Sequence, residues 1–413
     1  MNEHELKLAS QAHREPNDLW KIRQQAFQAI PTSRLPAMQR FSYQDWPVTS
    51  ENELQWHPSE PIDSVPDSFT ILGQTVVNDT IPKEWRDKGV RVIELGQAWQ
   101  ADPSQLCHSF ASVIQPNENR LTALHYAFLN SGVVIEIPDN TELKTPLEMN
   151  LIQDNRVAGH LSSHVLVIAG RNSTSHILQH WTSIGNHPNT LSSMIEIIAN
   201  EGSHVHFSAL DEVAAQSTVN FNRRAMIKQD AEVNWAVAMM NDCNTVGDID
   251  AELIGDGSQA HSNMIAVTGH QQQVGINNRV TNRGKHSLGL INQRGVINDQ
   301  SELIFNGIGQ IIHGAHGSQA DQQNRVLIMS EQARGDANPI LLIDENDVEA
   351  GHAASVGPVD PQQMYYLMSR GIPRPLAEQM VIRGFLGPVL NNIPAKDTRQ
   401  HMIRILERKL QNE

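Results

Sequence analysis

Cysteine is nearly absent. The 413 residues hold two, Cys107 and Cys243, far apart and in no CxxC pair. A disulfide framework is therefore disfavoured, and a reducing compartment is expected. Basic charge is also scarce: 31 Lys and Arg face 46 Asp and Glu, a net charge of −15. Phosphate backbones need clustered Lys and Arg, so no nucleic-acid partner is expected. No apolar run approaches the ~20 residues of a membrane helix. The N-terminal string MNEHELKLAS lacks the basic region and apolar core of a signal peptide. These absences together predict a cytoplasmic protein with no membrane partner. Nucleotide motifs are missing too. The nearest string to a phosphate loop, NRGKHS, has His286 where Ser or Thr should follow the lysine, and lacks the earlier glycine. No dinucleotide fingerprint follows a strand, and no G-x-S-x-G elbow occurs. The chain is read as unable to hydrolyse a nucleotide or an ester by itself.

Proline and lysine are thin in the middle. Between Leu147 and Gly357 the prolines are Pro188 and Pro339, and the lysines Lys228 and Lys285. Short alternating runs recur there, among them HVLVIAG, SMIEIIAN, HVHFSAL, AEVNWAVAM, NMIAVTG, ELIFNGIG and PILLID. Alternation marks strands with one face buried, and the Asn, Gly, Asp and Gln between them favour tight turns. Two architectures fit: an antiparallel sandwich, or a solenoid whose coils stack. No strict repeat is visible.

Helical patterns flank this region. Residues 1–115 are read as a small helical domain with an extended connection. Leu19, Ile22, Ala26, Phe27 and Ile30 recur at helical spacing, with Asn17 or Asp18 as N-cap and Pro31 as stop. Pro36, Pro47, Pro58, Pro61 and Pro66 then punctuate a loop. Five of the seven Trp (Trp20, Trp46, Trp56, Trp85, Trp99) lie in the first hundred residues, read as anchors of loop onto core. After the β region of residues 116–357, residues 358–413 are helical again. Asp360-Pro361 is a helix start. Met364, Leu367, Met368 and Ile372 share a face. Leu376, Met380, Phe385 and Val389 are read as the inside of a second helix. Met402, Ile405, Leu406 and Leu410 are read as that of a third.

Twelve of the nineteen histidines fall between His160 and His316. The pairs His204/His206, His313/His316 and His176/His180 could ligate a metal, but a structural site needs about four ligands. Solvated strand-face histidines are the default. Cys107 precedes His108 in a predicted helix, where neighbours point apart. Both cysteines are read as buried structural thiols.

The stretch GDANPILLIDENDVEAGHAASVG, Gly335 to Gly357, stands out. Ile340 to Ile343 form a short apolar run bounded by Pro339 and Asp344, which suits a buried strand. Asp344 to Asp347 form an acidic turn. His352 then sits among small residues, as the histidine of a tight connection or as a ligand or proton carrier near neutral pH.

ARGDANPILLIDENDVEAGHAASVG, with QMYYLMSRGI and IRGFLGPV after it, resembles the C-terminal part of the SufB/SufD family, subunits of the Suf iron–sulfur cluster assembly machine. The likeness is densest from Phe305 to Leu390 and closest to the SufD type. It implies a mainly β fold, a right-handed parallel β-helix core flanked by N- and C-terminal α-helical regions. It implies a non-catalytic scaffold subunit that pairs with a SufB-type subunit through the β-helix, or with itself when that partner is absent. The C-terminal helical region would dock a SufC-type ATPase, with Tyr365, Tyr366, Arg370, Gly371 and Phe385 as the docking residues. A nascent iron–sulfur cluster would form transiently at the interface of the pair, and this chain alone would bind no cofactor. His352 matches the histidine that the SufD type contributes, as a cluster or iron ligand. Whether a flavin reductant joins the assembly stays open. Two departures matter. Ala350 stands where some SufD-type proteins have cysteine, and LIMSEQARGDANP lacks the SufB-type cysteine. The rival reading is a β-helix carbohydrate-active enzyme, which needs paired carboxylates or a basic residue in an open groove with aromatic platforms.

Overall fold

The computed structural model describes residues 1–48, 54, 56, 58–60, 62, 68–390 and 396–411. Pro61, Pro66 and the Leu410 side chain, all named above, lie outside the described residues. From Ser131 to Pro358 the chain is a succession of strands that alternate between two sheets. One sheet has ten strands and ends on Glu349–Pro358; the other has nine and ends on Arg334–Ile343. Each strand pairs in parallel with the strand two places on, so the chain coils as a parallel β-solenoid of about 8 turns. The sandwich alternative is thereby excluded. Before residue 116, the strands Phe69–Leu72, Thr75–Asp79 and Arg91–Glu94 extend the two sheets at their other end, with antiparallel pairs at the rim.

A repeat does exist, at the corners. Asn140, Asn172, Gly202, Asp230, Gly257, His286 and Gly317 all have φ between 52° and 70°. Each donates its backbone N–H across to the next corner, for example Asp230 to the Asp256 carbonyl at 3.0 Å and His286 to the His316 carbonyl at 2.9 Å. Left-handed backbone suits Gly and is tolerated by Asn, Asp and His, the four residue types found. A small buried residue follows each of the last six: Ser173, Ser203, Ala231, Ser258, Ser287 and Ser318. Several of these serines bond back to the carbonyl three residues earlier, as Ser258 does to Gly255 at 2.6 Å. The lysine string NRGKHS is thus a solenoid corner.

Inside the solenoid lies one apolar core running from Phe69 to Val326. Both outer faces are covered in part by helices. Helix Glu3–Ala12, helix Asn17–Ala29 and the helices that follow pack Leu6, Leu19, Trp99, Phe110 and Tyr126 against Leu166, Met194 and Ile198 of the nine-stranded sheet. Glu196, fully buried, accepts the backbone N–H groups of Ala111, Val113 and Ile114 at 2.6–3.0 Å and so ties that layer to the sheet. Trp85 and Trp99 are fully buried, the anchoring role expected of them. The N-cap expectation needs correction: Pro16 holds the cap position without a side-chain bond, and Asn17 is already helical. Helix Glu3–Ala12, which the periodicity argument passed over, is capped by Asn2 and Glu5 in a reciprocal box.

The last two helices, Arg374–Leu390 and Lys396–Gln411, lie on the ten-stranded sheet. Ile382, Leu386, Met402, Ile405 and Leu406 pack on Leu210, Ala236, Ala238 and Ile265. Among the helix Arg374–Leu390, the buried residues are Ala377, Ile382, Leu386, Val389 and Leu390, whereas Leu376 and Met380, expected inside, are 49% and 46% exposed. That helix is apolar on every side, so spacing could not choose its buried face.

The corner column is directly testable. A Cβ at Gly257, whose φ is +70°, would sit 2.5 Å from Asp230 Oδ1. Gly257→Val is therefore expected to lower stability by about 1–3 kcal/mol in chemical denaturation. An unchanged midpoint would contradict the corner account.

Candidate functional site at the open end of the solenoid

Parallel pairing lets each column of side chains be followed down the stack. Ile177, Phe207, Trp235, Ser262, Ile291, Gln322 and His352 are successive partners in register. Phe207, Trp235 and Gln322 on this column are buried. His352 therefore stands on the core-facing side of its strand, yet it is exposed, because its strand is the last of the sheet. Pro339 fits this end position, since proline lacks the N–H that an inner strand must donate. Two expectations are corrected here. Ala350 to Ser355 form part of a strand and not a tight connection. The run Ile340–Ile343 is not buried: Leu342 and Ile343 are 47% and 38% exposed, joined by Val356 at 40%. The end of the solenoid thus combines free backbone edges, apolar side chains and the His352 imidazole. Edges of this kind are templates for a further strand.

Beyond Pro358 the chain turns into helix Pro361–Ser369, whose N-cap Asp360 accepts from Gln362 N at 2.8 Å, with Pro361 at the first position as expected. None of its residues is buried. Tyr365 is 75% and Tyr366 57% exposed, and the Arg370 guanidinium lies 5.2 Å from the Tyr366 ring centroid. Gly371 follows with φ +85°, a left-handed helix end. Tyr365, Tyr366, Arg370 and Gly371 thus share one exposed corner, with Met368 beside them. Phe385 is elsewhere. It is half-buried against the ten-stranded sheet, under the Arg294 guanidinium, which also donates to its carbonyl.

The histidine pairs are scattered. His176 and His206 stack face to face at 4.6 Å. His313 and His316 flank the Glu345 carboxylate at 3.7 and 3.3 Å. His180 bonds Glu212 at 3.2 Å, and His401 of the last helix approaches the same oxygen. Glu212 and His401 escaped the sequence reading because the three come from two strands and a distant helix, and no local motif joins them.

A family profile for "SUF system FeS cluster assembly, SufBD core domain" matches residues 151–385. The iron–sulfur cluster assembly protein SufD of Bacillus subtilis is 34% identical over 98% of this chain and 97% of its own. The chain belongs to the SufB/SufD family, and to its SufD type. SufBD family proteins from two strains of Staphylococcus aureus are each 24% identical over 77% of this chain and 69% of theirs. Among the described residues, no helix is long and apolar enough to cross a membrane.

Cys243 is buried between strands, and burial pushes its thiol up to about 12, far from the reactive thiolate. Cys107 corrects the expectation of burial: it is partly exposed, on helix Pro103–Ser109. Neither belongs to the strand pair at the open end. In the native chain a thiol reagent such as DTNB is expected to leave Cys243 unmodified until denaturant is added. Fast native labelling of Cys243 would contradict its burial. His352→Ala, at an exposed side chain, is expected to change stability by no more than about 0.5 kcal/mol. A loss above that in thermal or chemical unfolding would make His352 a structural residue.

Proposed function

We propose that this chain is a non-catalytic scaffold subunit of the SUF machinery, joined through its open solenoid end to a SufB-type subunit. One observation carries the reading: the imidazole of His352 faces along the core direction from the terminal strand, where a partner's strands would cover it. Neutral imidazole ligates iron well, so a nascent cluster or an incoming iron ion at that joint is chemically sensible. The cluster is cargo of the assembly, and the sulfur ligands come mainly from the partner, since Ala350 supplies none. The exposed corner of Tyr365, Tyr366, Arg370 and Gly371 is the docking surface for a SufC-type ATPase; aromatic and guanidinium groups are the usual anchors of such surfaces. Phe385 supports this corner indirectly, by seating its helix on the sheet. When no SufB-type chain is present, the same edge would pair with a second copy. Carbohydrate chemistry, the rival, finds no support in the family match.

Co-expression with a SufB-type and a SufC-type chain tests this. A stable three-component complex is expected by light scattering, with iron and sulfide bound only when the SufB-type chain is present. His352→Ala should leave the complex intact and lower its iron content. A chain that ignores both partners would overturn the reading, and full iron loading of the variant complex would remove His352 from it.

A further inference from the structure

We propose that His180, Glu212 and His401 form a binding site for a divalent first-row transition ion, which pins the C-terminal helix to the solenoid. His180 lies on strand Thr174–Gly185, Glu212 ends strand His204–Glu212, and His401 belongs to helix Lys396–Gln411. Their ligand atoms all lie within 4.8 Å of one another. His180 Nε2 is 3.2 Å and His401 Nε2 3.5 Å from the same oxygen, Glu212 Oε2. Zinc bonds of about 2.0–2.2 Å arranged tetrahedrally set ligand atoms roughly 3.4 Å apart. Both imidazoles therefore stand near ligand separation from the carboxylate oxygen before any ion arrives. Two imidazoles and one carboxylate are a ligand set that takes zinc or ferrous iron and leaves positions open for water.

A second observation points the same way. His401 Nε2 itself is shielded from solvent, and its nearest partner is Glu212 Oε2 at a long 3.5 Å; its ring lies 5.3 Å from the His180 ring. A shielded ring nitrogen held at so long a contact is poorly satisfied, and an ion between it and the carboxylate would satisfy both. Arg408 takes the other carboxylate oxygen, Oε1, at 2.9 Å. This leaves Oε2 to the two imidazoles alone and orients the carboxylate, while its positive charge, with that of nearby Arg404, holds affinity down. The neighbouring group on the same sheet differs. Glu232 meets His204 at 3.2 Å and His261 at 3.8 Å through different oxygens, so those imidazoles do not converge on a point. The site is distinct from His352 and does not depend on the scaffold reading.

The test is titration of the purified full-length chain with Zn(II), and with Co(II) for its visible spectrum. Wild type should bind one ion that raises the melting temperature, and zinc-edge absorption should show two imidazoles plus oxygen ligands. His180→Ala or His401→Ala should weaken that binding by more than the about 10–100-fold typical of losing an outer-shell partner. His261→Ala should not change it. Circular dichroism on the variants separates loss of the site from loss of the fold, and the wild-type zinc spectrum stands whether or not they fold. No zinc or cobalt binding by wild type, or binding unaffected by His401→Ala, would overturn the proposal.

Discussion

Everything in this molecule depends on covering one coil with the next. Strands that pair in parallel leave a row of backbone donors and acceptors at each end of the stack, and a core cross-section open to water. At the N-terminal end, antiparallel strands before residue 95 and the helices around them close the stack. At the C-terminal end the chain leaves its sheet after Pro358 for a helix with no buried residue. The unfinished end is where apolar side chains and His352 become available.

The helices serve the same economy from outside. The N-terminal ones cover the nine-stranded sheet and the last two the ten-stranded sheet. Polar anchors reinforce each contact: Glu196 under the N-terminal layer, and Glu212 with Arg408 under the last helix. Arg23, almost fully buried, adds a further lock, donating to the carbonyls of Ala127 and Leu129 at 2.8 and 3.0 Å. Glu196 and Arg23 hold position well because, at buried sites, removing one partner strands the other away from water.

Much of this was legible in residues. Alternating runs identified the strands of the solenoid, Asp360-Pro361 identified a helix start, and the string around His352 identified the family. The coil repeat stayed hidden because it is carried by two positions per coil, a left-handed residue and the small residue after it. Coil length also drifts: Thr218 pairs with Asn244, 26 residues on, and Glu302 with Arg334, 32 residues on. The exposure of Leu342 and Ile343 was not legible at all, since a short apolar run looks the same in the last strand as in an inner one. Leu376 and Met380 were misplaced for a related reason, because their helix offers apolar residues on every side. The meeting of His180, Glu212 and His401 is set by how the last helix lies across the sheet, which no window of sequence contains.

The central claim is that the terminal strands are an interface waiting for another chain. Hydrogen–deuterium exchange measured on this chain alone and with a SufB-type partner tests it most directly. Amides of Arg334–Ile343 and Glu349–Pro358 should exchange faster than those of inner strands in the free chain, and become strongly protected in the pair. Protection that appears elsewhere, with these two strands unchanged, would contradict the account.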